Sequence, residues 1–375
     1  MKILITGGAG FIGANLVCRF YKEGHQLCVL DNLSPQIHGY DSLQSPLRQQ
    51  IEGCCEFVFG DVTDVEVVRQ SLEGCDAVVH LAAETGTGQS MYELTRYAQT
   101  NVQGTAVVLE AIVEKKDRVQ KVVVASSRAV YGEGRYSIDG RFVYPSTRLE
   151  SDLSQGRFEP RCKDTGRDLQ LEATDEESRI APSSIYGVTK YSQEQMTLLT
   201  CKAIGIDATA LRFQNVYGPG QSLSNPYTGI LSIFSTRIRH GRGIDIYEDG
   251  QESRDFVYID DVVDAIVLAL TRPEAAHEVF GIGTGVATSV MSVAQALVAQ
   301  YGIDVPIQVT GSYRVGDIRH NFADTNKAKE LLGFQAQIGF NEGISNFARW
   351  VLEQPIQDDS YGASLESLKK RGLFK

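Results

Sequence analysis

The sequence predicts an α/β protein: a doubly wound parallel sheet with a smaller mixed α/β lobe. Three observations predict it. In the first half of the chain, short apolar runs alternate with segments whose apolar residues recur every three to four positions, as parallel strands alternate with crossover helices. A glycine-rich turn joins the first such strand to the first such helix. After about residue 216 the alternation gives way to NVYGPGQSLSNPYTG, rich in Gly, Pro, Ser and Asn, followed by shorter mixed elements.

The predicted strands are KILIT at 2–6, LCVL at 27–30, CEFVFG at 55–60, AVVHLAA at 77–83, KVVVAS at 121–126 and ATALRF at 208–213. Segments such as VEVVRQSL and VQGTAVVLEAIVEKK supply the helices between them. Ligands of such sheets bind beyond the carboxyl ends of the strands. Residues 1–216 are therefore expected to form a dinucleotide-binding domain. It is rejoined by 251–271, where DFVYIDDVVDAIVLAL reads as a strand and a helix capped by Asp260 or Asp261. Residues 217–250 and 272–350 are assigned to the smaller lobe. A polar, turn-rich insert at 133–178 and a charged tail at 355–375 fit neither.

A chain of 375 residues suits one large domain or two intimate ones. Its net charge of −11 opposes a general role on nucleic acid or anionic membrane, while leaving room for a local basic pocket that takes a phosphorylated ligand. No apolar run approaches the roughly 18 to 20 residues needed to span a bilayer. The seven cysteines are odd in number and scattered, and MKILITG reads as a strand with no leader before it. Reduced thiols and a cytoplasmic protein are the expectation.

Gly7, Gly10 and Gly13 of TGGAGFIG have the spacing that allows a tight turn, close approach of backbone to a pyrophosphate and close helix-strand packing. Asp31 ends the second strand, where an acid accepts the ribose hydroxyls of adenosine and would repel a 2'-phosphate, so the expected cofactor is NAD. Asp61, in Gly60-Asp61-Val62, either takes the adenine amino group or simply forms a turn. His80 sits inside an apolar run and reads as a core histidine. In YGVTK, Tyr186 and Lys190 stand at i and i+4 on one helical face, where an ammonium would lower the phenol's pKa. Ser127, at the end of the fifth strand, is placed to bond the same substrate oxygen.

Together TGGAGFIG, Asp31, GDV, HLAA, NVQGT from Asn101, SSRAVYG, YGVTK and LRFQNVYGPG resemble the extended short-chain dehydrogenase/reductases that act on nucleotide sugars, over residues 1 to about 350. The resemblance implies a Rossmann fold, a homodimer and a catalytic triad of Ser127, Tyr186 and Lys190. It places Phe11, Ile12, Asp31, Asn32, Asp61, Val62, Leu81, Ala82, Ala83, Asn101, Tyr186 and Lys190 against NAD. Asn215, Arg254, Arg314 and Asp317 match positions that hold the diphosphate, ribose and base, and Arg128 is grouped with them at the substrate.

Dehydratases of that family carry an Asp and a Glu after the triad hydroxyl, because elimination needs a further acid and base. Here Arg128 and Ala129 occupy those positions, and neither can protonate a leaving hydroxyl. Epimerisation at C4 needs only the triad and a held cofactor, although the triad alone also permits a net dehydrogenase or reductase. LDNLSPQIHG, TGTGQSMYELTRYAQTNVQGT and LSNPYTGI resemble dTDP-L-rhamnose 4-epimerases, as does the insert, which in that group often holds Cys and His pairs suited to zinc. This insert keeps only Cys162, so no metal is expected. For the apolar wall facing a 6-deoxy carbon the candidates are Gln89, Ser90, Met91 and Tyr92, the last two equally suited to core packing. UDP-sugar epimerases and a non-catalytic NAD-binding scaffold are the alternatives.

Overall fold

A strand buried on both faces needs apolar side chains at every position, and Ile3, Leu4 and Ile5 are all fully buried. Successive side chains point to opposite faces, so Ile3 and Ile5 enter one core and Leu4 another. The computed structural model describes residues 1–375 except 40, 226, 228 and 360; two of these fall in the LSNPYTGI segment. Strands β1 (Lys2–Thr6), β2 (Gln26–Asp31), β3 (Glu56–Phe59), β4 (Ala77–His80), β5 (Lys121–Ser127), β6 (Asp207–Phe213) and β7 (Val279–Ile282) form one sheet in the order β7-β6-β5-β4-β1-β2-β3. Every pairing in it is parallel.

Helices α1 (Phe11–Lys22) and α5 (Ile259–Thr271) contribute to the core with Ile3 and Ile5, while α2 (Val65–Ser71), α3 (Gly104–Glu114) and α4 (Ile185–Ile204) contribute to the core with Leu4. This is the doubly wound arrangement predicted from the alternating pattern. The sheet order reverses direction at β1, and the carboxyl ends of β1, β2, β4 and β5 bring Thr6, Asp31, His80 and Ser127 to one edge.

Three details differ from the sequence reading. Residues 279–282, expected in the smaller lobe, are the seventh strand of the main sheet because Val279, Phe280, Gly281 and Ile282 register against Ala210–Phe213 of β6. Ser253–Arg254, expected with the return to the first domain, instead joins a small sheet with Thr288–Ser289 and His320–Asn321. Neither Asp260 nor Asp261 caps α5: Tyr258 is the N-cap, and both acids lie in the first turn, where they still suit the helix dipole. Asp261 instead accepts the amides of Gln337 (2.8 Å) and Ile338 (3.2 Å), tying α5 to the chain beyond it.

The smaller lobe packs helices Ile230–Arg239 and Val290–Tyr301 together, and its buried Ile244, Val293 and Leu297 belong to the same core as Ile3 and Leu16. The insert forms a three-stranded sheet of Tyr136–Ile138, Arg141–Val143 and Gln170–Leu171. Among the described residues, no helix is long and apolar enough to cross a membrane. Burial pushes the thiols of Cys28 and Cys201 up to about 12, which removes their reactivity at neutral pH.

Candidate active site

The turn after β1 admits little but glycine. Gly7 has φ of +68°, and a Cβ there would lie 2.7 Å from the amide of Ala82. At Gly13 a Cβ would meet the Gly7 carbonyl oxygen at 2.4 Å, so the absent side chain is what lets α1 start against the turn. Gly10 is the N-cap of α1 and provides no side-chain bond, which leaves first-turn amides for a ligand anion. Asp31 receives the amides of Ala9 (3.0 Å) and Leu33 (2.8 Å). Burial pushes its carboxyl up, while those amides and the nearby His38 pull the other way.

A cavity of about 450 Å³ runs along this edge. Gly7, Gly10, Phe11, Ile12, Gly13, Asp31, Asn32, Val62, Leu81, Ala82 and Ala83 line one part of it, and Ser127, Arg128, Tyr186, Lys190 and Asn215 another. A glycine cradle, uncapped amides and an acid at the carboxyl end of β2 together fit a dinucleotide.

Two expected lining residues are turned elsewhere. Asp61 accepts from the amide and hydroxyl of Thr63 (2.9 and 2.7 Å) and from Asn32 Nδ2 (2.8 Å), so its carboxylate serves a turn. Fully buried Asn101 accepts the Glu84 amide (2.7 Å) and donates to Thr189 (2.9 Å), joining the loop after β4 to α4. His80 lies between the hydroxyls of Thr6 (2.7 Å) and Thr105 (2.9 Å), and burial pushes it down to about 3, a neutral core histidine.

Tyr186 is fixed from several sides. Ser184 caps α4 by accepting the Gly187 amide (3.1 Å), and the Tyr186 amide donates to Ser90 Oγ (3.0 Å). Its ring meets Tyr97 edge-on at 6.5 Å, and Tyr97 is held by the carbonyl of Gly86 (3.0 Å). Burial pushes the Tyr186 phenol up, opposed by a hydrogen bond to Ser127 and by the charge of Arg128. The sequence reading gave that task to Lys190. Lys190 instead donates to Gln193 (2.7 Å), and burial pushes its ammonium down to about 7, opposed by Glu194.

Sequence reasoning missed the support beneath this pair. Glu194 is fully buried, accepts Ser126 Oγ (2.6 Å) and binds the Arg212 guanidinium through both oxygens (2.7 and 2.9 Å). The signal was present: Tyr186, Lys190 and Glu194 repeat at four-residue spacing. Ser126 thereby links the end of β5 to that carboxylate.

Toward the smaller lobe, Arg128 Nε donates to Asn215 (2.8 Å), and Arg128 also borders a second cavity of about 40 Å³ with Met91, Arg314 and Asp317. Burial would raise the Asp317 carboxyl, but Arg254, Arg314, Arg148 and Arg128 outweigh it and hold it below the usual range. Arg254 donates to Asp317 (3.2 Å) and to the carbonyls of Arg319 and Ile318. Four arginines thus converge on Asp317, one of which, Arg148, is also paired with Glu133 and Glu248. Gln89 and Ser90 do not form the expected wall: Gln89 exchanges hydrogen bonds with Gln36 (3.0 Å each) and Ser90 serves Tyr186. Tyr227 lines the cavity instead and receives the Tyr92 hydroxyl (2.8 Å).

Residues 3–283 match the model of the NAD dependent epimerase/dehydratase family. The chain belongs to that family. Its cofactor is accordingly NAD, in agreement with the glycine turn and cavity of this family member. The chain is 40% identical over 356 residues to a dTDP-L-rhamnose 4-epimerase of Burkholderia thailandensis, covering 94% of this chain and 95% of that relative. A UDP-glucose 4-epimerase of Thermotoga maritima, solved with UDP-glucose, superposes with a TM-score of 0.76 at 30% identity, covering 94% of this chain and 99% of that one. MoeE5 in complex with UDP-glucuronic acid and NAD gives a TM-score of 0.74 at 29% identity, with the same coverage of 94% and 99%.

Proposed function

We propose that the chain is an NAD-dependent 4-epimerase of a nucleotide-activated hexose, and that it interconverts dTDP-L-rhamnose and dTDP-6-deoxy-L-talose. The observation that carries the reaction type is the composition of the Tyr186 corner. The Tyr186 phenol lines the same cavity as Ser127 and Arg128, and the hydroxyl of the one and the charge of the other pull its pKa down against burial. Among the residues lining the cavity the acids are Asp31, at the glycine turn, and Glu84, which is paired with Arg96 (2.7 Å). Neither is a free acid beside Tyr186, so water elimination lacks its proton donor.

NAD, held by the turn of Gly7, Gly10 and Gly13 and by Asp31, would supply a hydride acceptor and donor for C4. Tyr186 Oη takes the proton of the sugar 4-hydroxyl and later returns it to the same oxygen. Ser127 Oγ, which also accepts the Ala129 amide (3.1 Å), orients that oxygen. Arg128 favours the phenolate form of Tyr186 electrostatically. The arginines around Asp317 would hold the diphosphate while the hexose turns to present its other face.

The choice of dTDP-L-rhamnose is supported by the relative at 40% identity. A second reading, a UDP-sugar 4-epimerase of galactose or glucuronate type, draws support from the likeness to the UDP-glucose enzyme. Incubating the protein with dTDP-L-rhamnose, UDP-glucose, UDP-galactose and UDP-glucuronate, and following C4 inversion by proton NMR, decides between them. Inversion of dTDP-L-rhamnose at the highest kcat/KM is expected; preference for a UDP-sugar would replace the first reading by the second.

A further inference from the structure

The two segments left outside both lobes, the insert and the tail, meet on one loop. That loop, Tyr313–Ile318, carries Arg314 and Asp317, and it has few bonds of its own: within it the amide of Asp317 reaches the Arg314 carbonyl at 3.3 Å. Gly316 lies in it with φ of +81°. Ordering such a turn requires partners from elsewhere.

From one side comes the chain after helix α6 (Tyr361–Lys370). Tyr313 and Lys375 exchange amide-carbonyl bonds (2.8 and 3.0 Å), and the Val315 amide donates to the Leu373 carbonyl (3.0 Å). Arg314 thereby stands opposite Phe374. The Phe374 ring lies 4.9 Å from that of Tyr247, over which the Arg314 guanidinium sits at 5.1 Å. From the other side comes the insert. Arg148 donates to the Asp317 carbonyl (3.0 Å) and to Glu248 (2.8 Å), while Leu153 and Phe158 bury against Tyr313. An ion pair between Lys375 and Glu150 joins the two segments. The Arg314 side chain also hydrogen-bonds Tyr247, and its buried Nε has no partner among the described residues.

We propose that residues 371–375 and the Arg148–Phe158 part of the insert form a clasp that positions Arg314 and Asp317 for the nucleoside diphosphate, and so sets substrate affinity. The proposal rests on the nucleotide-sugar reading above. Arg148 and Phe374 are positioning residues, acting through the loop and not on the reacting carbon. The tail half of the clasp lies outside the 3–283 region shared with the family model.

The test uses three variants: Phe374→Ala, Arg148→Leu and a chain ending at Lys370, with Arg148→Lys as the conservative control. Affinities for dTDP and UDP are measured by calorimetric titration, NADH affinity by fluorescence, and kcat and KM with the preferred sugar. The three variants are expected to raise the nucleotide Kd and KM roughly ten-fold or more, with a smaller change in kcat and none in NADH affinity, because ordered binding groups become disordered and must be re-ordered by ligand. Arg148→Lys should recover part of the loss. Unchanged nucleotide Kd in all three variants would overturn the clasp, as would NADH affinity falling in step with nucleotide affinity. If the unmodified protein binds dTDP or UDP but inverts no sugar, the proposed reaction fails while the nucleotide titrations still decide the clasp.

Discussion

Replacing Tyr186 by Phe removes one oxygen and leaves the edge contact with Tyr97 and the backbone bond to Ser90 in place. Turnover is expected to fall by roughly 10² to 10⁴-fold, the usual worth of a positioned acid-base group, with NADH binding retained. Steady-state rates by NMR and a fluorescence titration check both halves. Lys190 gives a second prediction, this time on stability. Its folded value of about 7 lies below its ordinary 10.5, so below about pH 7 the folded protein carries the full cost of a buried charge. Between 7 and 10.5 the unfolded chain binds more protons, and stability rises with pH. Lys190→Met should therefore melt a few degrees higher than the parent near pH 6, with the gain fading toward pH 10 while activity is lost. A melting series across pH reads this directly. Gly7, Asp31, Ser127, Tyr186 and Lys190 were legible because strand ends and helical spacing announce them. The tasks of Ser90, Asn101 and Ser126 were not, since their partners Tyr186, Thr189 and Glu194 lie 96, 88 and 68 residues away.

Among the elements, the turn into α1 is the least tolerant of change. Gly13→Ala would drive a methyl to 2.4 Å from a backbone oxygen that has no side chain to swing aside. Overpacking of this kind costs roughly 1–3 kcal/mol, and a shift of α1 to relieve it would move the first-turn amides off the pyrophosphate. NADH affinity is expected to drop with only a modest loss of melting temperature; an unaltered affinity would detach the turn from the cofactor. The strands of this sheet could be read because burial on both faces demands continuous apolar runs. β7 escaped that reading: it is four residues long and includes Gly281, and between it and its partner β6 lie the 217–250 segment and α5. Likewise the caps of α5 were misassigned, because what Asp261 binds is the chain at Gln337 and Ile338, which no local pattern reveals.

Taken as a whole molecule, the protein sets a hydroxyl-phenol pair at the end of β5, a glycine cradle at β1 and an arginine cluster in the smaller lobe around one seam. The two lobes share a core, so the seam is built from both rather than bridged by a linker. Net negative charge over the chain is compatible with a cluster of arginines around Asp317, which the composition allowed but could not locate. The central claim is that the C4 hydrogen leaves the sugar and returns to the same carbon within one binding event. Deuterium at C4 of dTDP-L-rhamnose tests it most directly. The account predicts that the 6-deoxy-L-talose product keeps its deuterium at C4 with no accumulation of NADH; loss of the label to water, or NADH formed in step with product, would contradict it.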